Sequence, residues 1–137
     1  MSNLEDTLAK MLIEHEGFRG KPYKDTVGKT TIGIGRNLED KPITMDEARF
    51  LLKNDMKDAV ADAEALFPVF SQIDVGRQAV LCDMAFNLGR NRLSRFFKFI
   101  HAVNSGDYNT AADEMLDSLW AKQVGRRAQT LANIMRG

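Results

Sequence analysis

Residues 18–35 read Phe18-Arg19-Gly20-Lys21-Pro22-Tyr23-Lys24-Asp25-Thr26-Val27-Gly28-Lys29-Thr30-Thr31-Ile32-Gly33-Ile34-Gly35. No helix can run through this stretch. Pro22 and the glycines at 20, 28, 33 and 35 punctuate β-prone pieces around Tyr23 and Thr30 to Ile34, the pattern of a small hairpin sheet with its turn near Val27 to Lys29. Period-two alternation puts Ile32 and Ile34 on one face and Thr31, Gly33 and Gly35 on the other. Glycines inside a strand weaken it. Their alternation here reads either as sheet twist alone or as close approach by a backbone or ligand.

Helices are predicted on both sides of the hairpin. Upstream, Leu4, Leu8, Met11 and Leu12 keep helical spacing from about Asn3 to His15, and Gly17 stands where a C-terminal cap would. Downstream, Thr44-Met45-Asp46-Glu47 is a capping box opening a helix to about Ala65 before Pro68, with Ala48, Leu51, Leu52 and Met56 expected to face inward. Asp74 caps a further helix, ended by Gly89, whose Val75, Ala79, Cys82 and Phe86 mark the expected buried face. Phe96, Phe97, Ile100 and Val103 mark another, stopped by Gly106. Asp107 then caps one carrying Ala111, Ala112, Met115, Leu116 and Leu119, and a last helix runs from about Gly125 to Met135. The sum is an α+β chain, mainly α.

At 137 residues the chain has the size of one domain, with room for two lobes. Its composition, 44% hydrophobic and 28% charged, excludes disordered and collagenous classes. No apolar run approaches the roughly 20 residues of a membrane span, and the first residues lack the pattern of a signal peptide, so synthesis in a cytoplasm is expected. Cys82 is the sole cysteine, which excludes a disulfide-stapled miniprotein. Nineteen Lys and Arg balance nineteen Asp and Glu; the basic residues after Phe86 lack aromatic interleaving, and no nucleic-acid partner is expected.

Elimination narrows the chemistry. Gly28-Lys29-Thr30 resembles the end of a phosphate-binding loop, but Tyr23 stands where that loop needs its first glycine. His15 and His101 lack metal-site spacing, and Cys82 lacks an evident base. Neither metal nor cofactor is expected. Glu16 and Asp25 are different. Glu16 ends the first helix, where the negative end of the dipole disfavours a further negative charge. Asp25 could face Thr31 across the hairpin, although as bland readings Asp25 is a turn residue and Thr31 a strand former. An acid in one setting beside a second carboxylate in a more polar one is what glycoside hydrolysis needs.

Glu16-Gly17, Tyr23-Lys24-Asp25-Thr26, Gly28 and Thr31-Ile32-Gly33-Ile34-Gly35 together resemble the catalytic segment of the phage-type lysozymes, the T-even-like endolysins. The likeness continues through Thr44 to Ala48, Arg77 to Leu81, Phe86-Asn87-Leu88-Gly89, Trp120 and Arg126-Arg127-Ala128, covering essentially the whole chain. It implies a two-lobed lysozyme-like fold: a lobe with the sheet at about 14–43, an interlobe helix at about 44–65, and a helical lobe at about 66–137 joined by the N-terminal helix. It implies a monomer that hydrolyses the β-1,4 bond between N-acetylmuramic acid and N-acetylglucosamine in peptidoglycan, with an inactive peptidoglycan-binding module as the alternative. Glu16, Asp25 and Thr31 match the family's catalytic positions, and Gly35, Asp83, Asn87 and Arg127 are the expected substrate-binding residues. Arg127 is expected to reach toward Glu16, with Trp120 packed beneath it. The enzyme would act on the wall in the periplasm, once a holin-type lesion opened the membrane. Where the family has a histidine–aspartate pair this chain has Arg36 and Asp55, expected to pair as ions, and the short segment from Asn37 to Ile43 implies a reduced lip on the cleft.

Overall fold

The computed structural model describes residues 2–137, which form eight α-helices, a short 3-10 turn and a three-stranded antiparallel sheet in the order β1-β2-β3. The chain divides into two compact units, residues 1–49 and 50–137. The first holds α1 (Asn3–Glu16), β1 (Arg19–Lys24), β2 (Thr30–Gly33) and β3 (Arg36–Asn37), together with the start of α2 (Met45–Leu66). The second holds the rest of α2, then α3 (Val75–Leu88), α4 (Arg90–Leu93), α5 (Phe97–Asn104), α6 (Tyr108–Leu116), α7 (Leu119–Val124) and α8 (Arg126–Arg136). The mainly α, α+β class is as the sequence implies.

Local chemistry sets the helix starts. The side chains of Ser2, Asp74, Asp107 and Ser118 each accept the backbone N–H three residues on, satisfying a donor that the first turn leaves free. Thr44 and Glu47 form the reciprocal capping box, with N···O distances of 2.9 and 3.2 Å. Two boundaries differ from the sequence reading. Ser118 starts a new helix, so Leu119 belongs to α7 rather than α6, and the single turn of α4 follows Gly89 directly.

The hydrophobic core lies in the second unit, built around Phe67, Leu81, Met84, Leu93, Phe99, Met115 and Met135. Phe99 takes Phe67 and Phe96 edge-on, at ring separations of 5.9 and 6.5 Å. The C-terminal end of α8 is held by Arg77, which donates to the Met135 and Arg136 carbonyls and lies over the Tyr108 ring.

Several helix faces depart from expectation. In α3 the buried residues are Val80, Leu81, Met84, Ala85 and Leu88, while Val75 and Phe86 are exposed. In α2 only Ala59 and Ala63 are buried, and Leu51, Leu52 and Met56 are exposed. In α5 Phe99, Ala102 and Val103 turn inward and Phe97 turns outward. These helices carry apolar residues at more than one helical phase, so spacing alone selects no face. Phe67→Ala is expected to cost about 3–5 kcal/mol of unfolding free energy, whereas Phe97→Ala should change it by less than about 0.5 kcal/mol. Denaturant titration checks both, and a comparable loss for Phe97 would contradict the face assignment.

Candidate active site

The candidate residues on the hairpin are organised by the backbone of one residue, Lys29. β1 and β2 pair through Tyr23↔Thr31 and Lys24↔Thr30, and the intervening residues turn tightly. Asp25 N–H donates to the Lys29 carbonyl at 2.9 Å, and Gly28 N–H donates to the Asp25 carbonyl at 3.0 Å. The Asp25 carboxylate accepts the Val27 and Lys29 amides on Oδ1, at 3.0 and 2.8 Å, and Oδ2 takes no protein donor among the described residues. The turn reading of Asp25 therefore holds: one carboxylate oxygen builds the turn. Thr31, only 3% exposed, donates its hydroxyl hydrogen to the same Lys29 carbonyl at 3.0 Å. Having given its one hydrogen, that oxygen can only accept from a further group.

Glu16, the last residue of α1, lies against the next turn. The strand expected through Gly35 ends at Gly33, and Ile34 and Gly35 form the tight turn into β3. Ile34 is consequently exposed rather than core-facing. Gly35 has φ +68°, and a Cβ there would stand 2.6 Å from Glu16 Oε2. Something does approach Gly35 closely, but it is a side chain, the Glu16 carboxyl, rather than the backbone or ligand expected. Glu16, Ile13, Leu12, Gly35, Arg36 and Lys41 line an open hollow of about 590 Å³ in the first unit. Phe18, two residues beyond Glu16, is exposed.

Arg36 has an ionic partner within the first unit, Glu47. Its guanidinium makes a two-pronged pair with Glu47, Nη1 to Oε1 at 3.0 Å and Nη2 to Oε2. The same carboxylate also caps α2 through Thr44, so one side chain ties β3 to a helix start. Arg36 first, and then the Thr44 amide, bring the Glu47 pKa from 4.5 down to about 2. The capping box made Glu47 legible as a cap; nothing in the spacing marked it as the partner of Arg36.

The remaining candidates stand in the second unit as two pairs. Arg127 on α8 engages Asp83 on α3 through Nε at 2.8 Å and Nη2 at 2.7 Å. Trp120 Nε1 donates to Asn87 Oδ1 at 2.7 Å, one turn further along α3. Two expected substrate-binding residues are thus partners of each other, and Asn87 keeps its amide nitrogen for a further acceptor. Cys82 is a free thiol with its pKa pushed up by burial, the opposite of what a nucleophile needs.

The phage lysozyme family profile matches residues 13–136, a span that includes every one of these positions. The chain belongs to the phage lysozyme family. That makes it a lysozyme-type glycoside hydrolase by descent. It is 31% identical to the pre-baseplate central spike protein of Enterobacteria phage T4, over 94% of this chain and 27% of that protein. It is 26% identical to a probable T4-type lysozyme of Dictyostelium discoideum, over 93% of this chain and 92% of the relative. It is 29% identical to the endolysin of Salmonella phage P22, over 81% of this chain and 78% of the relative. The chain thus spans about a quarter of the spike protein and most of the other two.

Gly35→Ala should lower activity about 10- to 100-fold, because the new methyl displaces the Glu16 carboxyl as well as straining a positive φ. Gly106→Ala, with φ +75° but open space around it, should strain the backbone and leave activity alone; equal activity losses in the two would contradict the contact. Glu47 yields a prediction in pH. Its folded pKa is depressed, so its contribution is present above the ordinary 4.5 and is lost as pH falls toward about 2. Arginine does not titrate in this range. The stability deficit of Glu47→Gln should be largest at neutral pH and shrink steadily below pH about 4.5, and denaturant titrations giving a constant deficit would contradict the pair.

Proposed function

We propose that this chain hydrolyses the β-1,4 bond between N-acetylmuramic acid and N-acetylglucosamine in peptidoglycan, with Glu16 as the general acid and Asp25 and Thr31 directing the attacking water. The observation that carries the reading is the shared hold of Lys29 on Asp25 and Thr31. A water beside them meets two acceptors, the open Oδ2 of Asp25 and the hydroxyl oxygen of Thr31. It can give a hydrogen to each, which aims a lone pair away from both. Asp25 then takes the proton as the water attacks the anomeric carbon, and Glu16 protonates the departing glycosidic oxygen. The C1–O bond breaks as the C1–water bond forms, so configuration at C1 inverts. A hydroxyl locked as an acceptor has this use when water is the nucleophile and no evident one if Asp25 attacks the sugar itself.

Similarity to an endolysin supports use in host-cell lysis, with the enzyme reaching the periplasmic wall through a holin-type membrane lesion and working as a monomer. No helix among the described residues is long and apolar enough to cross a membrane. Gly35 leaves room for the Glu16 carboxyl, and the Asp83–Arg127 and Asn87–Trp120 pairs offer polar groups for sugar or stem-peptide atoms.

Glu16→Gln keeps the shape of the side chain and removes its proton. It should fold as the parent does and clear a suspension of purified peptidoglycan at least about 100-fold more slowly, as loss of a general acid requires. Retention of more than about a tenth of the parental rate would remove Glu16 from that role. An inert parent that still sediments with peptidoglycan would favour the binding-module alternative.

A further inference from the structure

The peptide that organises Asp25 and Thr31 has a second end. Its carbonyl belongs to Lys29 and accepts from the Asp25 amide and the Thr31 hydroxyl; its N–H belongs to Thr30 and donates to Glu39 Oε2 at 2.6 Å. Thr30 lies on the central strand where β3 has already ended, so no strand carbonyl faces its amide. A side chain takes the vacant place in the ladder. The turn that carries Glu39 is itself fixed: Asn37 Oδ1 accepts the Glu39 and Asp40 amides at 3.0 and 3.1 Å, and Leu38 N–H donates to the Thr30 carbonyl at 2.8 Å. Lys24 stands 3.8 Å from Glu39 Oε2 while donating to Thr30 Oγ1 at 2.7 Å, and Lys29 reaches Asp40 at 3.5 Å.

We propose that Glu39 is a positioning residue for the Asp25–Thr31 pair, acting through the Lys29–Thr30 peptide that it grips from the opposite side. Two physical effects operate. The bond fixes the peptide plane, and with it the direction of the Lys29 carbonyl that aims the Thr31 hydroxyl. A charged acceptor on an amide N–H also polarises the peptide, making its carbonyl the better acceptor for both bonds on the active side. The Thr30 amide, with Lys24 and Lys29 adding to it, holds the Glu39 carboxyl below its ordinary range, so the grip is charged at neutral pH. Glu39 touches no reacting atom and supplies no proton. The proposal rests on the hydrolytic reading above, so its test includes a readout independent of activity.

Glu39→Ala should leave the chain folded, lower kcat about 10- to 100-fold and leave KM within about twofold, because the loss concerns the transition state rather than the binding of sugar. Glu39→Gln keeps the acceptor and should recover most of the rate; Glu39→Asp keeps the charge but falls a methylene short and should stay impaired. Hydrogen exchange monitored by NMR provides the independent arm. The Lys29 amide, bound to Asp25 rather than to Glu39, should exchange at least about tenfold faster in Glu39→Ala than in the parent, and protection should return in Glu39→Gln. Parental kcat in Glu39→Ala or Glu39→Asp, a defect confined to KM, or no recovery in Glu39→Gln would overturn the proposal. A parent chain inert on peptidoglycan would overturn the hydrolytic reading instead. The exchange of Lys29 would then decide the matter alone, with unchanged protection in Glu39→Ala overturning the positioning role.

Discussion

The peptide group between Lys29 and Thr30 is the constraint on which the candidate chemistry depends. Its carbonyl accepts from the Asp25 amide and the Thr31 hydroxyl, and the Lys29 amide beside it donates to one oxygen of the Asp25 carboxylate. A carboxylate on a turn and a hydroxyl on a strand would ordinarily each sample several rotamers. Here both are hydrogen-bonded to the backbone of one residue, so their relative placement is inherited from the hairpin register. That register is set by the Tyr23↔Thr31 and Lys24↔Thr30 pairings. A one-residue slip would turn Thr31 to the other face and leave Asp25 without its partner.

A comparable economy appears at Gly35 and Glu47. Gly35 gives the β2–β3 turn its positive φ and at the same time leaves room for the Glu16 carboxyl. Glu47 closes the capping box of α2 and holds Arg36 of β3. In each case a residue that serves local geometry is also a contact point for a functional element. The first unit, which among the described residues contains none of the buried hydrophobic ones, relies on such polar ties to fix its side chains. The second unit relies on an apolar core and on Arg77, which fastens the end of α8.

What was legible in the sequence follows from the range of the interactions. Caps act over three residues, and Asp74, Asp107 and the Thr44–Glu47 box stand as read. Glu16, Asp25 and Thr31 were legible as candidates because their order and spacing match a family pattern. The turn at Ile34-Gly35 was not legible: alternation continues through Gly33-Ile34-Gly35 whether the chain stays extended or reverses, and only a hydrogen-bonded neighbour distinguishes the two. The buried face of α3 was hidden because Val75, Ala79 and Phe86 make as good a stripe as Val80, Met84 and Leu88. Pairing between distant charges was hidden most completely. Arg36 took Glu47, a pairing that no spacing marked, and Arg127 took Asp83 from 44 positions away.

The central claim is that Asp25 and Thr31, held by the backbone of Lys29, direct a water rather than that Asp25 attacks the sugar. Stereochemistry is the most direct reporter, since a single displacement by water inverts the anomeric carbon and a covalent intermediate restores it. NMR of the first product released from a peptidoglycan oligosaccharide, recorded before mutarotation, reads the outcome. The α-anomer at the earliest times is the result expected here. A β-anomer at those times, or a glycosyl group trapped on Asp25, would contradict the account and make Asp25 the nucleophile.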